Sequence, residues 1–248
     1  MKAVGIIPAR WASTRFPGKP LHMIAGKPLL QHVWEACRRA KDLDALIVAT
    51  DDMRIAQAAF DWGAEVALTK SHHNSGTDRI AEVAAKAKQF GYIINIQGDE
   101  PLINPRLVDR MVQILRGNER IGMITAAHPF AAAGEADSPH QVKVVIDRAS
   151  DALYFSRAPV PFAREEQPRY LRHQGIYGYR RDVLLQFVRW KSSPLERAES
   201  LEQLRALENG VRIHVLVTNS GTAGVDTPAD AAALEQILAR AGRRKTRR

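Results

Sequence analysis

Between Arg10 and Lys19 the chain carries three fixed cations, Arg10, Arg15 and Lys19, with the hydroxyls of Ser13 and Thr14 and the turn pair Pro17-Gly18. They follow a short apolar run, Val4 to Ile7, that stops at Pro8, a residue unable to donate to a sheet ladder. Three cations on one tight loop repel one another unless an anion lies between them. A loop straight after a buried strand is also where open α/β sheets bind ligands. The chemistry implied is a polyphosphate pocket, hence a nucleotide site. Two familiar phosphate loops are missing. Gly18-Lys19 and Gly26-Lys27 are each followed by Pro with no Gly five residues before, and this segment holds no G-x-G-x-x-G.

Two carboxylates suit such a pocket. Asp99, in Asn95-Ile96-Gln97-Gly98-Asp99-Glu100-Pro101, is expected to project from the end of a buried strand, with Gly98 allowing close backbone approach. Asp226, in Val225-Asp226-Thr227-Pro228, stands just before a helix start, where an acid is also an ordinary N-cap. Beside a phosphate site this pair fits Mg²⁺, a hard cation that takes oxygen ligands and is completed by substrate phosphates. Asp42-Leu43-Asp44 precedes a strand and reads as loop solvation. His72-His73 lacks further His or Cys at ligand spacing and reads as loop polarity.

A third constellation is Arg172-His173-Gln174-Gly175-Ile176-Tyr177-Gly178-Tyr179-Arg180. In a strand, His173, Gly175, Tyr177 and Tyr179 share one face, and the glycine between His and Tyr leaves room for a ligand. A packed strand with a hydrogen-bonded histidine fits the same residues. Arg157 and Arg164 have the geometry to grip a carboxylate bidentately. Glu199, Glu202 and Gln203 fall at i, i+3, i+4 on one expected helix, a spacing that also describes a solvated face.

The elements that must position these residues alternate. Buried-strand patterns are Val4 to Ile7, Leu46 to Ala49, Val66 to Leu68 and Ile93 to Ile96. Between them lie helical patterns. One starts at Pro28 with Leu29, Leu30, Val33, Trp34 and Cys37 at helical spacing, and another covers Met53 to Trp62. A third runs from Thr77, the expected N-cap, to Phe90, and a fourth follows Pro105. This is a doubly wound α/β sheet. After Ile121 the texture becomes strand-rich, at Met123 to Ala127, Val142 to Ile146, Ala152 to Phe155 and Ile176 to Tyr179. That is either a β-rich insertion or an antiparallel extension of the sheet. Helices return at Arg181 to Trp190 and Pro194 to Leu207, then a strand at Ile213 to Val217 and a helix at Pro228 to Ala241. The expectation is one domain, 1–242, with a β-rich lobe at about 125–190 and a basic tail, 243–248.

The 248 residues are 45% hydrophobic, enough for a substantial core, and contain no run of eighteen apolar residues. One cysteine, Cys37, excludes an internal disulfide and reads as a small core residue. The chain enters a strand without an apolar leader, so no secretory signal and a cytoplasmic location are expected. Net charge is +9, of which five lie in the tail, leaving +4 for the body. That modest excess suits a triphosphate and an acidic co-substrate, with the tail as a solubilising end in preference to a nucleic-acid contact.

These motifs together resemble the 3-deoxy-manno-octulosonate cytidylyltransferases. The resemblance rests on Ile7-Pro8-Ala9-Arg10, Ser13-Thr14-Arg15, Pro17-Gly18-Lys19-Pro20-Leu21, Ser75-Gly76-Thr77-Asp78-Arg79 and Gln97-Gly98-Asp99-Glu100-Pro101. It continues in Tyr154-Phe155-Ser156-Arg157, Leu171-Arg172-His173, Gly175 to Arg180, Ser193-Pro194-Leu195-Glu196 and Gly224-Val225-Asp226-Thr227-Pro228. The first motif is shared with other cytidylyltransferases, including those for sialic acids, and the later ones are more specific. Trp11 and a short 164–171 segment depart from the pattern.

The resemblance implies transfer of CMP from CTP to the anomeric hydroxyl of 3-deoxy-D-manno-octulosonate (Kdo), with release of pyrophosphate for lipopolysaccharide synthesis. It implies a Rossmann-like, GT-A-like fold, Mg²⁺ and a homodimer. Carried over by position, Arg10, Ser13, Arg15 and Lys19 hold the triphosphate, and Ser75, Thr77 and Arg79 line the nucleotide side. Asp99 and Asp226 ligate the metal. Gln97, Arg157, His173, Tyr177, Glu202 and Gln203 hold the sugar acid. Another acidic sugar, an 8-amino Kdo analogue or a sialic acid, is the alternative substrate.

Overall fold

The computed structural model describes residues 1–12, 16–165, 168–222 and 224–245. In chain order the elements are β1 (Lys2–Ala9), β2 (Met23–Ile24), β3 (Lys27–Pro28), α1 (Leu29–Cys37), β4 (Ala45–Thr50), α2 (Met53–Asp61), β5 (Glu65–Leu68), α3 (Gly76–Lys86), β6 (Phe90–Asn95) and α4 (Pro105–Gly117). They continue with β7 (Met123–Pro129), β8 (Lys143–Ile146), β9 (Ala152–Ser156), β10 (Leu171–Arg180), α5 (Arg181–Phe187), α6 (Pro194–Glu199), α7 (Gln203–Glu208), β11 (Ile213–Val217) and α8 (Pro228–Lys245). The class is mixed α/β with a mostly parallel central sheet, as the sequence implies.

The chain divides into two compact units. The first comprises Val4–Ala87, Asn95–Asp109 and Thr222–Arg248. Its strands run β5-β4-β1, parallel, with Val4 opposite Ala45 and Ala9 opposite Thr50. β1 does not stop before Pro8. The Ile6 carbonyl accepts from the Ile96 N–H at 3.0 Å, and backbone polarity alternates along a strand. Pro8 therefore turns its missing N–H to the 96–98 side and leaves the β4 ladder intact. Ile6, Ile7, Leu29, Leu30, Val33 and Val48 are buried between sheet and helices, and Cys37 lies among them as expected. Burial pushes the Cys37 thiol up to about 12. Phe16, Ile24, Leu29 and Val225 pack with Ala231 and Leu234 of α8. That helix extends past the expected Ala241 to Lys245.

Helix α3 starts earlier than expected. Ser75, not Thr77, is its N-cap, its hydroxyl accepting from Asp78 N–H at 3.2 Å. Ser caps slightly better than Thr, and Thr77 instead is buried in the first turn.

The second unit comprises Met1–Ala3, Lys88–Ile94 and Arg110–Gly221. Its strands run β11-β7-β10-β6, with β8 paired to β10 and β9 to β8. β7 is antiparallel to β10, β8 to β9 and to β10, and β11 is parallel to β7. The strand-rich stretch is thus an antiparallel extension. Between Gln174 and Tyr177 the β10 register slips by two residues. An even slip preserves alternation, so the face read from the sequence survives the bulge.

Candidate active site

In the first unit the C-terminal end of β1, the loop after it, the start of α3 and the 97–99 segment enclose a pocket. It is lined by Arg10, Lys19, His73, Asn74, Ser75, Arg79, Gln97, Asp99 and Asp226, with Pro8, Ala9, Pro20, Gly76 and Gly98. Gly98 lets the backbone approach closely, since a Cβ there would stand 3.1 Å from the Pro8 carbonyl oxygen, tighter than an ordinary contact. Gly18 has φ +69° and lies against the Trp11 ring. The Arg54 guanidinium covers that ring at 3.5 Å and is itself held bidentately by Asp52.

Lys19 enters the pocket from a short 3₁₀ turn. Its Nζ lies 2.6 Å from Asp99 Oδ2 and 3.6 Å from Asp226 Oδ1, and donates to the Val225 carbonyl at 3.0 Å. Val225 N–H in turn donates to the Asp99 carbonyl at 2.9 Å, which ties the two acidic loops together. The expected self-repulsion of the cationic loop therefore does not hold for Lys19, because two carboxylates neutralise it. Arg10 is exposed, while Ser13 and Arg15 lie outside the described residues. The helix-cap role open to Asp226 goes to the next residue, whose Thr227 hydroxyl accepts from Asp230 N–H at 3.2 Å.

The donor set fits Mg²⁺. Asp99 and Asp226 bring oxygens to one cationic point, and Mg²⁺ needs only one or two carboxylates with water and phosphate completing the shell. Among the described residues no group of three or more His, Cys, Asp or Glu converges as a cage for another metal.

The nucleotide-side residues separate. Ser75 lines the pocket, whereas Thr77 is not among its walls. Arg79 is 4% exposed and pairs with Asp51 at 3.1 Å, with Thr69 Oγ1 and with the Lys70 carbonyl. Gln97, expected with the sugar acid, lines this pocket. His73, read as loop polarity, does so too. Its Nε2 lies 2.7 Å from Glu82 Oε2, which also takes the Lys70 N–H, while Glu82 Oε1 takes the Lys86 ammonium. Those donors outweigh the burial of Glu82 and hold its carboxyl down at about 2.

The second unit carries the remaining residues. His173, Tyr177 and Tyr179 form a row of rings, with centroids 5.4 and 6.1 Å apart, and Phe155 meets His173 edge-on. Burial depresses the His173 imidazole to about 3, so the ring is neutral. Burial raises the Tyr177 phenol, with the charges of Tyr179 and Glu202 adding to the effect.

Glu199, Glu202 and Gln203 do not share one helix, as the spacing suggested. α6 ends at Glu199, Ser200 turns left-handed at φ +52°, and α7 begins at Gln203 with Glu202 as its N-cap. Nor is Glu199 a solvated face: its carboxylate accepts from Ser156 Oγ at 2.7 Å and from Arg157 N–H at 2.8 Å. Gln203 is 4% exposed and its Nε2 is a buried donor without a hydrogen-bond partner.

Arg157 is a clamp. Its Nε donates to the Glu199 carbonyl at 2.7 Å and its terminal nitrogens to Pro139 and Ser200 carbonyls at 3.0 and 3.4 Å. Arg164 is exposed. Lys143, fully buried, was missed. Its ammonium donates to the carbonyls of Ser138, Gln141 and Arg157, satisfying all three N–H groups. The signal was a lysine inside the apolar run Val142 to Ile146.

A cytidylyltransferase sequence model matches residues 4–213. The chain is 49% identical over 244 residues to the 3-deoxy-manno-octulosonate cytidylyltransferase of Syntrophobacter fumaroxidans, covering 96% of this chain and 98% of that one. It is 50% identical over 231 residues to the protein of that name from Solibacter usitatus, covering 92% and 91%. The structure of CMP:2-keto-3-deoxy-manno-octonic acid synthetase complexed with CTP superposes with a TM-score of 0.93 at 45% identity, over 97% of this chain and 99% of that one. Similarity of this depth along nearly the whole length leaves one assignment: the chain belongs to the cytidylyltransferase family, among the 3-deoxy-manno-octulosonate cytidylyltransferases.

Proposed function

We propose that the protein transfers CMP from CTP to the anomeric hydroxyl of Kdo, releasing pyrophosphate. The hydroxyl oxygen attacks the α-phosphorus, the bond to the bridging oxygen breaks, and the hydroxyl proton is lost. The observation that carries the reading is the convergence of Asp99, Asp226 and Lys19 at one point of a pocket that also holds Arg10 and Ser75. Relatives carrying the activity in their names, and a structural neighbour complexed with CTP, support it.

Asp99 and Asp226 would hold Mg²⁺, which supplies charge neutralisation at the phosphates and acidifies a bound hydroxyl. Lys19 and Arg10, with Ser13 and Arg15 by resemblance, take the charge that builds on phosphoryl oxygens and departing pyrophosphate. Ser75 and Arg79 serve the nucleotide, with Thr77 behind them. His173, Tyr177, Glu202 and Gln203 serve the sugar acid, with Gln203 Nε2 as a ready donor. Arg157 positions the α6–α7 junction from which Glu202 and Gln203 extend. Gln97 is assigned to the sugar acid by resemblance alone.

A homodimer acting in the cytoplasm for lipopolysaccharide synthesis completes the proposal. Among the described residues no helix is long and apolar enough to cross a membrane. The test is incubation with CTP and Mg²⁺ beside Kdo, its 8-amino analogue and a sialic acid, with the product identified by mass and by its phosphodiester phosphorus signal. Kdo is expected to react fastest. Preference for a sialic acid would overturn the sugar assignment, and light scattering at monomer mass would overturn the dimer.

A further inference from the structure

Thr125 lies fully buried in β7, opposite Tyr177, where β10 slips by two residues. Its hydroxyl oxygen stands 2.8 Å from the Ile176 carbonyl oxygen, 3.2 Å from that of Gln174 and 2.9 Å from His173 Nε2. A hydroxyl has one proton, and carbonyls only accept. If the proton went to Nε2, both carbonyl oxygens would face a threonine lone pair in a buried place. If it goes to Ile176, the nearer carbonyl, Nε2 must carry its own hydrogen and donate it to Thr125 Oγ1. Only the second arrangement gives each short contact to Ile176 and His173 a proton. It fixes the neutral imidazole as the Nε2–H tautomer and leaves Nδ1 with a free lone pair.

We propose that Thr125 is a positioning residue that holds His173 in this tautomer, so that Nδ1 acts as a hydrogen-bond acceptor for a hydroxyl of the acidic sugar. The inference rests on the reading above that His173 touches the sugar acid. It assigns His173 recognition of a hydroxyl donor and no part in gripping the carboxylate, which a bare nitrogen lone pair repels. Discrimination against a sugar lacking that hydroxyl then follows from leaving a desolvated acceptor unpaired.

The test uses full-length protein labelled with ¹⁵N-histidine at pH 7.5, with the His173 signals assigned by their loss in His173→Gln. In the unsubstituted protein Nε2 should be protonated and Nδ1 bare. Thr125→Ser should keep that pattern, and Thr125→Val should lose it. In kinetics Thr125→Val should raise KM for Kdo by about tenfold, the worth of one hydrogen bond, with KM for CTP little changed, and Thr125→Ser should rescue it. A protonated Nδ1 in the unsubstituted protein overturns the proposal whether or not the valine variant folds. A switched tautomer without a change in KM for Kdo overturns the recognition role. Lack of any turnover with Kdo in the unsubstituted protein counts instead against the proposed reaction, since the tautomer is read without substrate.

Discussion

Lys19 and Asp99, 80 residues apart in sequence, meet as an ion pair with 2.6 Å between Nζ and Oδ2. The lysine is 17% exposed and the carboxylate 30%, so the pair is screened more than a core pair and less than a surface one. Asp226 stands on the same ammonium, so removing it leaves two carboxylates near each other without their counter-charge.

Lys19→Ala is therefore expected to destabilise the free protein by about 1–2 kcal/mol, and to slow turnover by about 10²–10³. A thermal melt beside steady-state kinetics at saturating CTP checks both. An unchanged melting temperature would contradict the paired-lysine geometry, and an unchanged rate its role with phosphate.

Asp226→Asn separates metal binding from helix capping. Thr227 already caps α8, and Asn caps about as well as Asp, so stability should stay within about 0.5 kcal/mol. Turnover should collapse, with a higher Mg²⁺ requirement for what remains. A near-normal rate over a Mg²⁺ titration would remove Asp226 from the metal site.

The βα alternation was legible because each buried strand is a short apolar run between helical patterns. The loops at strand ends could be named for the same reason. What could not be read is what distant segments do to each other. Lys19 reads from the sequence as a self-repelling cation, because nothing local shows that Asp99 and Asp226 fold onto it. The break at Ser200 has no mark in the sequence, because no glycine stands at its left-handed turn, and the spacing alone places Glu199 and Gln203 on one helix. The two-residue slip in β10 is silent in the pattern, since an even insertion leaves polar–apolar alternation unchanged. His73 went unassigned because its partner, Glu82, is nine residues on in the next helix.

His173 makes stability depend on acid in a stated window. Its folded pKa of about 3 lies below the ordinary 6.5, so between these values the unfolded chain binds more protons and stability falls as pH falls. The slope approaches about 1.4 kcal/mol per pH unit between pH 6 and 4. Urea melts over that range should be shallower in pH for His173→Gln than for the unsubstituted protein. Equal slopes would mean that the ring is not held neutral.

Arg157→Lys should show the clamp. A lysine cannot reproduce a planar fork spanning the Pro139, Glu199 and Ser200 carbonyls. A loss of about 1–3 kcal/mol is expected, with KM for Kdo rising because Glu202 and Gln203 lose their support. A raised KM without any loss of stability would instead mark Arg157 as a direct sugar contact.

Pyrophosphate release, measured with CTP, Mg²⁺ and Kdo together and with each omitted in turn, reports the transfer itself. Pyrophosphate should form only in the complete mixture, in amounts equal to the CMP-sugar produced. Equal release without Kdo, or none from folded protein in the complete mixture, would contradict the account.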